Sequence, residues 1–172
     1  ALNYFINEQT NPEHVGDIGI EYGIALSMLE MNDYEGAREQ FAELVEVNEE
    51  IIHFYTGLAQ AQMGLRDRQA AFATYEQAMH LFPRNVPLTV RYSEALVQYG
   101  DPGLAHEVLL DLLNQVPPTP EQVRLIAIAA NAAGDTADAH YYMAEYHLLN
   151  GDLRMAVDQL RLALGIPGLG SV

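Results

Sequence analysis

One spacing constrains this chain more than any other feature. Ala37, Ala71, Ala105 and Ala139 stand 34 residues apart, and so do Asp33, Asp67, Asp101 and Asp135. Four residues after each alanine comes a large apolar side chain: Phe41, Tyr75, Leu109 and Met143. Twelve before it the residue is small (Ala25, Ala59, Ser93, Ala127), and ten before it is small again (Ser27, Ala61, Ala95, Ala129). Thirteen before, it is bulky: Ile24, Leu58, Tyr92, Ile126. Six columns held in register without a gap are the mark of a repeat, so the chain is an array of like units rather than one irregular globule.

Each column has a packing reason. Two small residues two apart let a second helix approach the first closely, and the alanine that follows lies on that second helix. Between the helices stand Asn32-Asp33, Arg66-Asp67, Gly100-Asp101 and Gly134-Asp135. Gly or Asn takes the left-handed conformation that ends a helix, and Asp caps the next. Arg66 departs from this rule, and Gly64 is expected to end its helix sooner. Prolines mark other junctions: Pro83, Pro87, Pro102, Pro117, Pro118 and Pro120.

The pattern predicts helix pairs at about 17–31 and 34–47, 50–63 and 68–81, 87–99 and 102–115, and 120–133 and 136–149. Tyr4, Phe5 and Ile6 suggest an N-terminal helix or cap within residues 1–16, broken at Asn11-Pro12 and Gly16. Gly151-Asp152 and Ala156 repeat Gly134-Asp135 and Ala139 at a spacing of 17, half the period. A ninth repeat helix is therefore expected at about 152–164, making 139–164 a final half-step pair, and the 165–172 tail stops it. No segment shows sustained alternation, so no strand is predicted.

Such a 34-residue helix–turn–helix unit resembles the tetratricopeptide repeat (TPR) over residues 17–164. The resemblance implies an all-α, right-handed superhelical solenoid of about nine antiparallel helices plus an N-terminal cap, one domain over 1–172. In that family the first helix of each pair lines a concave groove for peptides or proteins. The matching positions here are Tyr22, Leu26 and Leu29, then Thr56, Gln60 and Met63, then Val90, Glu94 and Val97, then Arg124, Ile128 and Asn131, and finally Tyr141, Glu145 and Leu148. This groove is expected to be apolar and aromatic at both ends and mixed in the middle. The Lys, Asn and Arg of the chaperone-type carboxylate clamp are not matched, since Tyr22 and Leu26 stand in the first pair, so capture of a Glu-Glu-Val-Asp tail is rejected. The chain also lacks the family's Trp.

A narrower resemblance lies in the run from Ala139 to Leu153, continuing through Ala156-Val157-Asp158-Gln159-Leu160 to Gly168-Leu169-Gly170-Ser171. It is similar to the end of the C-terminal TPR domain in BepA-type periplasmic zinc metallopeptidases of bacteria. That likeness implies a non-catalytic part of such an enzyme, located in the periplasm and recruiting β-barrel assembly machinery or unfolded outer-membrane proteins. It would adjoin a peptidase domain that carries the zinc. The alternative is a free-standing TPR scaffold in pilus or secretion assembly. Ala1 in place of Met, with no basic and apolar leader after it, suggests a processed or excised chain.

Composition excludes much else. The 172 residues hold 24 acids and 8 bases, net −16, and all eight bases are arginine. Nucleic-acid binding needs clustered cations, so DNA and RNA are discarded as partners, and anionic membrane surfaces are disfavoured for the same reason. The longest apolar run, Leu125 to Ala130, is too short to span a bilayer. No Cys is present, which removes disulfides, Cys-bound zinc and thiol catalysis. Residues 1–50 carry 12 acids and only Arg38, net −11. This acid reads first as a solvated helix face, and second as a docking surface for a catalytic domain.

A search for catalytic or metal residues returns little. His106-Glu107 begins an H-E-x-x-H pattern, but Leu110 occupies the second His position. His140 and His147 lie two turns apart, about 10.5 Å of rise, too far to share a metal. His14, His53 and His80 have no partners at ligand spacing. Glu49-Glu50 and Asp135 to Asp138 read as turn and cap carboxylates. No phosphate loop is present, and Gly165 to Gly170 precedes no helix. The chain is expected to be no enzyme and to hold no cofactor.

Overall fold

A computed structural model describes residues 1–114 and 117–166. Ten helices and no strand are found among them: α1 Leu2–Gln9, α2 Ile18–Glu30, α3 Tyr34–Val47, α4 Ile52–Gly64, α5 Arg68–Leu81, α6 Val86–Tyr99, α7 Pro102–Leu113, α8 Pro120–Ala133, α9 Thr136–Leu149 and α10 Leu153–Leu164. The all-α expectation holds, and each predicted helix is present within about two residues of its expected ends. No helix of the described residues is long and apolar enough to cross a membrane. Most of the expected Gly-rich tail, from Pro167 onward, lies outside the described residues. The chain forms two compact units, Ala1–Leu88 and Thr89–Val172, with the boundary inside α6.

In the first unit α2 packs against α1, α3 and α4, and α4 packs against α3 and α5. The small columns are where the helices meet: Ala25, Ala37, Ala59, Ala61 and Ala71 are all fully buried. Glycine carries the closest approaches. A Cβ on Gly57 in α4 would enter the ring of Phe41 from α3, and one on Gly64 would enter the ring of Tyr34. Gly23 in α2 receives Phe5 of α1 in the same way, its Cβ falling 2.5 Å from the ring. Thus α1 covers α2 as α3 covers α4, by seating an aromatic ring where the facing helix has no side chain.

In the second unit α8 packs between α7 and α9, and α10 packs on α9. Ala105, Leu109, Val123, Ile126, Ala127, Ala129 and Ala130 are buried there. Pro102 and Pro120 occupy first-turn positions, and Thr119 closes a capping box with Gln122. Helix α10 follows α9 through the Gly151-Asp152 turn and packs on it.

Four turns share one construction. Asn32, Arg66, Gly134 and Gly151 have φ of 61°, 63°, 88° and 79°. The amide of each next residue, Asp33, Asp67, Asp135 or Asp152, donates to the carbonyl five residues back (Met28, Gln62, Ala130, His147). That bond closes a Schellman motif, so each aspartate finishes one helix while its carboxylate caps the next. The caps accept from Gly36, Ala70, Asp138 and Met155. The expectation that Gly64 would spare Arg66 is corrected: α4 runs through Gly64, and Arg66 itself takes the left-handed geometry. Gly64 is small for another reason, the ring of Tyr34.

Gly57→Ala will lower stability by about 1–3 kcal/mol, because the methyl must displace a fully buried ring. Arg66→Gly will do the opposite. Relief of about 1–2 kcal/mol of left-handed strain, less about 0.5–1 kcal/mol of added chain entropy, leaves a gain of up to about 1.5 kcal/mol. Urea unfolding followed by helical circular dichroism measures both.

Candidate peptide-binding groove

The residues matched to the concave groove divide between the two units and meet different surroundings. In the first unit, Tyr22 lies with its ring centroid 6.1 Å from Phe41 and 5.6 Å from Phe54. Burial holds its phenol above the ordinary value. Leu29 is only 9% exposed and belongs to the core cluster of Phe41, Leu44 and Phe54. Thr56 is half-buried, its hydroxyl donating to the His53 carbonyl at 3.1 Å, and Met63 is half-buried. Leu26 and Gln60 alone of this set are exposed. Of the apolar residues expected at this end, Leu29 is in the core and Tyr22 packs against it, while Leu26 stays exposed.

In the second unit, Val90 and Val97 on α6 are half-buried and Glu94 is exposed. Arg124 is exposed, with Nε 3.0 Å from the Glu121 carboxylate. Ile128 and Asn131 line a cavity of about 310 Å³ with His140, Met143 and Gln159. His140 Nδ1 lies 2.7 Å from Gln159 Oε1, tying α9 to α10.

Tyr141, Glu145 and Leu148 come together along one side of a larger cavity of about 530 Å³. Tyr141 is 52% exposed and Leu148 55%, while Glu145 is half-buried. The facing wall is Leu153, Val157 and Leu160 of α10. Sequence reasoning missed this wall because it drew the groove from first helices alone. The apolar spacing at 153, 157 and 160 was the available signal: it is one stripe of a helix. Among the described residues no helix follows α10, so Leu153, Val157, Leu160, Leu162 and Leu164 stay exposed. An apolar hollow with one carboxylate and one phenol at its edge suits apolar side chains carried on a polar backbone.

The histidines are also placed differently from their sequence reading. His14 does have an acidic partner, with Nδ1 2.9 Å from Glu8 at the end of α1. His106 meets Asp135 and Asp138, with one ligand-type atom of each within 4.8 Å of the others. Leu110 rules out the H-E-x-x-H pair as expected, and this helix does not fit a metallopeptidase zinc site. Tyr142 stands beside the cluster, its ring centroid 6.2 Å from that of His106. Burial, then the Asp138 charge, raise its phenol pKa, with Tyr141, Glu145 and Asp135 adding to the effect.

No curated protein matches this sequence. Tetratricopeptide repeat profiles match residues 21–48 and 62–129. Among solved structures, the chain is similar to TTC0263, a thermophilic TPR protein of Thermus thermophilus, at a TM-score of 0.66 and 21% identity, covering 96% of this chain and 89% of that one. It is similar to MamA from residue 41 onward of Desulfovibrio magneticus RS-1 at 0.64 and 16%, covering 87% and 94%. It is also similar to YrrB, described as a TPR protein with an unusual peptide-binding site, at 0.60 and 16%, covering 99% and 95%. At these identities the structures speak for the fold. Together with the profile matches and the four registered repeats, they establish that this chain belongs to the tetratricopeptide repeat family.

Proposed function

We propose that this chain, a protein-interaction scaffold as TPR domains are, binds through the α9–α10 hollow and that its ligand is an extended, apolar protein segment of neutral or basic charge. The carrying observation is the apolar cavity of about 530 Å³ bounded by Tyr141, Leu148, Leu153, Val157 and Leu160. Alternate residues of an extended strand project to one side, which lets successive apolar side chains enter while the backbone stays hydrated. Glu145 and the chain's net charge of −16 disfavour acidic ligands. Unfolded outer-membrane β-strands have this chemistry.

The chain then serves as the partner-recruiting part of a BepA-like periplasmic metallopeptidase, beside the β-barrel assembly machinery. The sequence run from Ala139 to Leu153 supports that reading. A free-standing scaffold in pilus or secretion assembly is the second reading, favoured by the likeness to YrrB, described as a TPR protein with an unusual peptide-binding site.

A fluorescein-labelled strand peptide with alternating apolar residues will bind the wild type. Tyr141→Ala with Leu148→Ala will weaken it at least about 30-fold, the loss expected when central contacts worth about 2 kcal/mol are removed. Equal anisotropy titrations for both proteins would remove the hollow from the account. The coding sequence upstream of Ala1 separates the two wider readings: an H-E-x-x-H helix there supports the peptidase, and a leader running directly into Ala1 sinks it.

A further inference from the structure

His106, Asp135 and Asp138 are brought together from two helices, and the spacing within this cluster is specific. His106 sits in α7, only 9% exposed, and its Nε2 is buried with no hydrogen-bond partner among the described residues. A buried ring nitrogen normally has a partner, so this one calls for an explanation. Nε2 stands 3.7 Å from Asp138 Oδ2. That is too long for a hydrogen bond of about 2.7–3.2 Å, and too short for a bridging water, whose two partners stand roughly 4.6 Å apart. It does suit two atoms bound to one ion at about 2.0–2.2 Å, which lie about 3–4 Å from each other.

Asp135 completes the set. Its Oδ1 accepts the Asp138 amide as the helix cap, and a carboxylate oxygen of Asp135 lies within 4.8 Å of the His106 and Asp138 ligand atoms. We propose that His106, Asp135 and Asp138 bind a divalent transition-metal ion of the zinc–cobalt–nickel class, with His106 as the nitrogen ligand. One neutral imidazole and two carboxylates balance a 2+ charge, and an imidazole selects this class over calcium or magnesium. Asp138 is 44% exposed on its side chain, so solvent fills the remaining coordination positions.

The ion staples α7 to the first turn of α9, two helices that both pack on α8. It also adjoins the hollow through two rings, since Tyr142 lies 5.1 Å centroid to centroid from Tyr141.

The test is titration of the full chain, stripped with a chelator, using Co²⁺ as a spectroscopic probe and Zn²⁺ as competitor. Wild type should take up one equivalent of Co²⁺, with visible d–d bands lost on adding Zn²⁺, and its thermal midpoint should rise with free Zn²⁺. Asp138→Asn, a half-exposed and near-isosteric change, should abolish both effects while the circular dichroism stays unchanged. His106→Gln should do the same, and His53→Ala, an exposed histidine of the first unit, should leave both intact. Absence of d–d bands in the wild type, or bands that survive Asp138→Asn, would overturn the assignment and leave a His106–Asp138 ion pair as the whole role of the cluster.

Discussion

Close approach of helices at positions with almost no side chain is the constraint on which the rest of this structure rests. Phe41 fits over Gly57, Tyr34 over Gly64 and Phe5 over Gly23 because nothing projects from the facing helix. Fully buried alanines extend the same contact along the pairs. Dispersion and apolar burial both grow with such proximity, so a small residue at the seam gains more than a large one would. The 34-residue spacing is how the sequence returns those small positions to the seam in every pair.

The turns convert that packing into a regular advance. A left-handed residue followed by an aspartate that both ends one helix and begins the next leaves little freedom in the angle between them. The construction recurs at Asp33, Asp67, Asp135 and Asp152, and in the last case it turns α9, the second helix of one pair, into the first helix of another. The hollow beside Tyr141 and Leu148 exists because of that step. Helix α10 offers Leu153, Val157 and Leu160 to α9 on one side, while further apolar residues remain in solvent.

Much of the fold was legible in advance. The helices, their junctions and the half-period step follow from columns such as Ala37 to Ala139 and Asp33 to Asp135, since a repeat displays each local rule several times. The candidate site was only partly legible. Tyr141, Glu145 and Leu148 were identified from their place in the repeat, but α10 was not seen as the opposite wall. Tyr22 and Leu29, groove positions by their place in the repeat, lie against and in the core, because Phe41 of α3 and Phe54 of α4 pack on this part of α2. No local spacing distinguishes a Leu that faces solvent from one that meets a third helix.

The sequence by itself determined the all-α class, the unit length and the turn chemistry, because these depend on residue type and on separations within one period. Tertiary structure decided which apolar residues remain exposed, that Arg66 takes the strained turn position, and that His106 meets Asp135 and Asp138. The physical reason is distance along the chain. Asp135 and Asp138 stand 29 and 32 residues beyond His106, nearly a full period, and only the packing of α7 and α9 on the same helix, α8, brings their side chains within 4.8 Å of the imidazole.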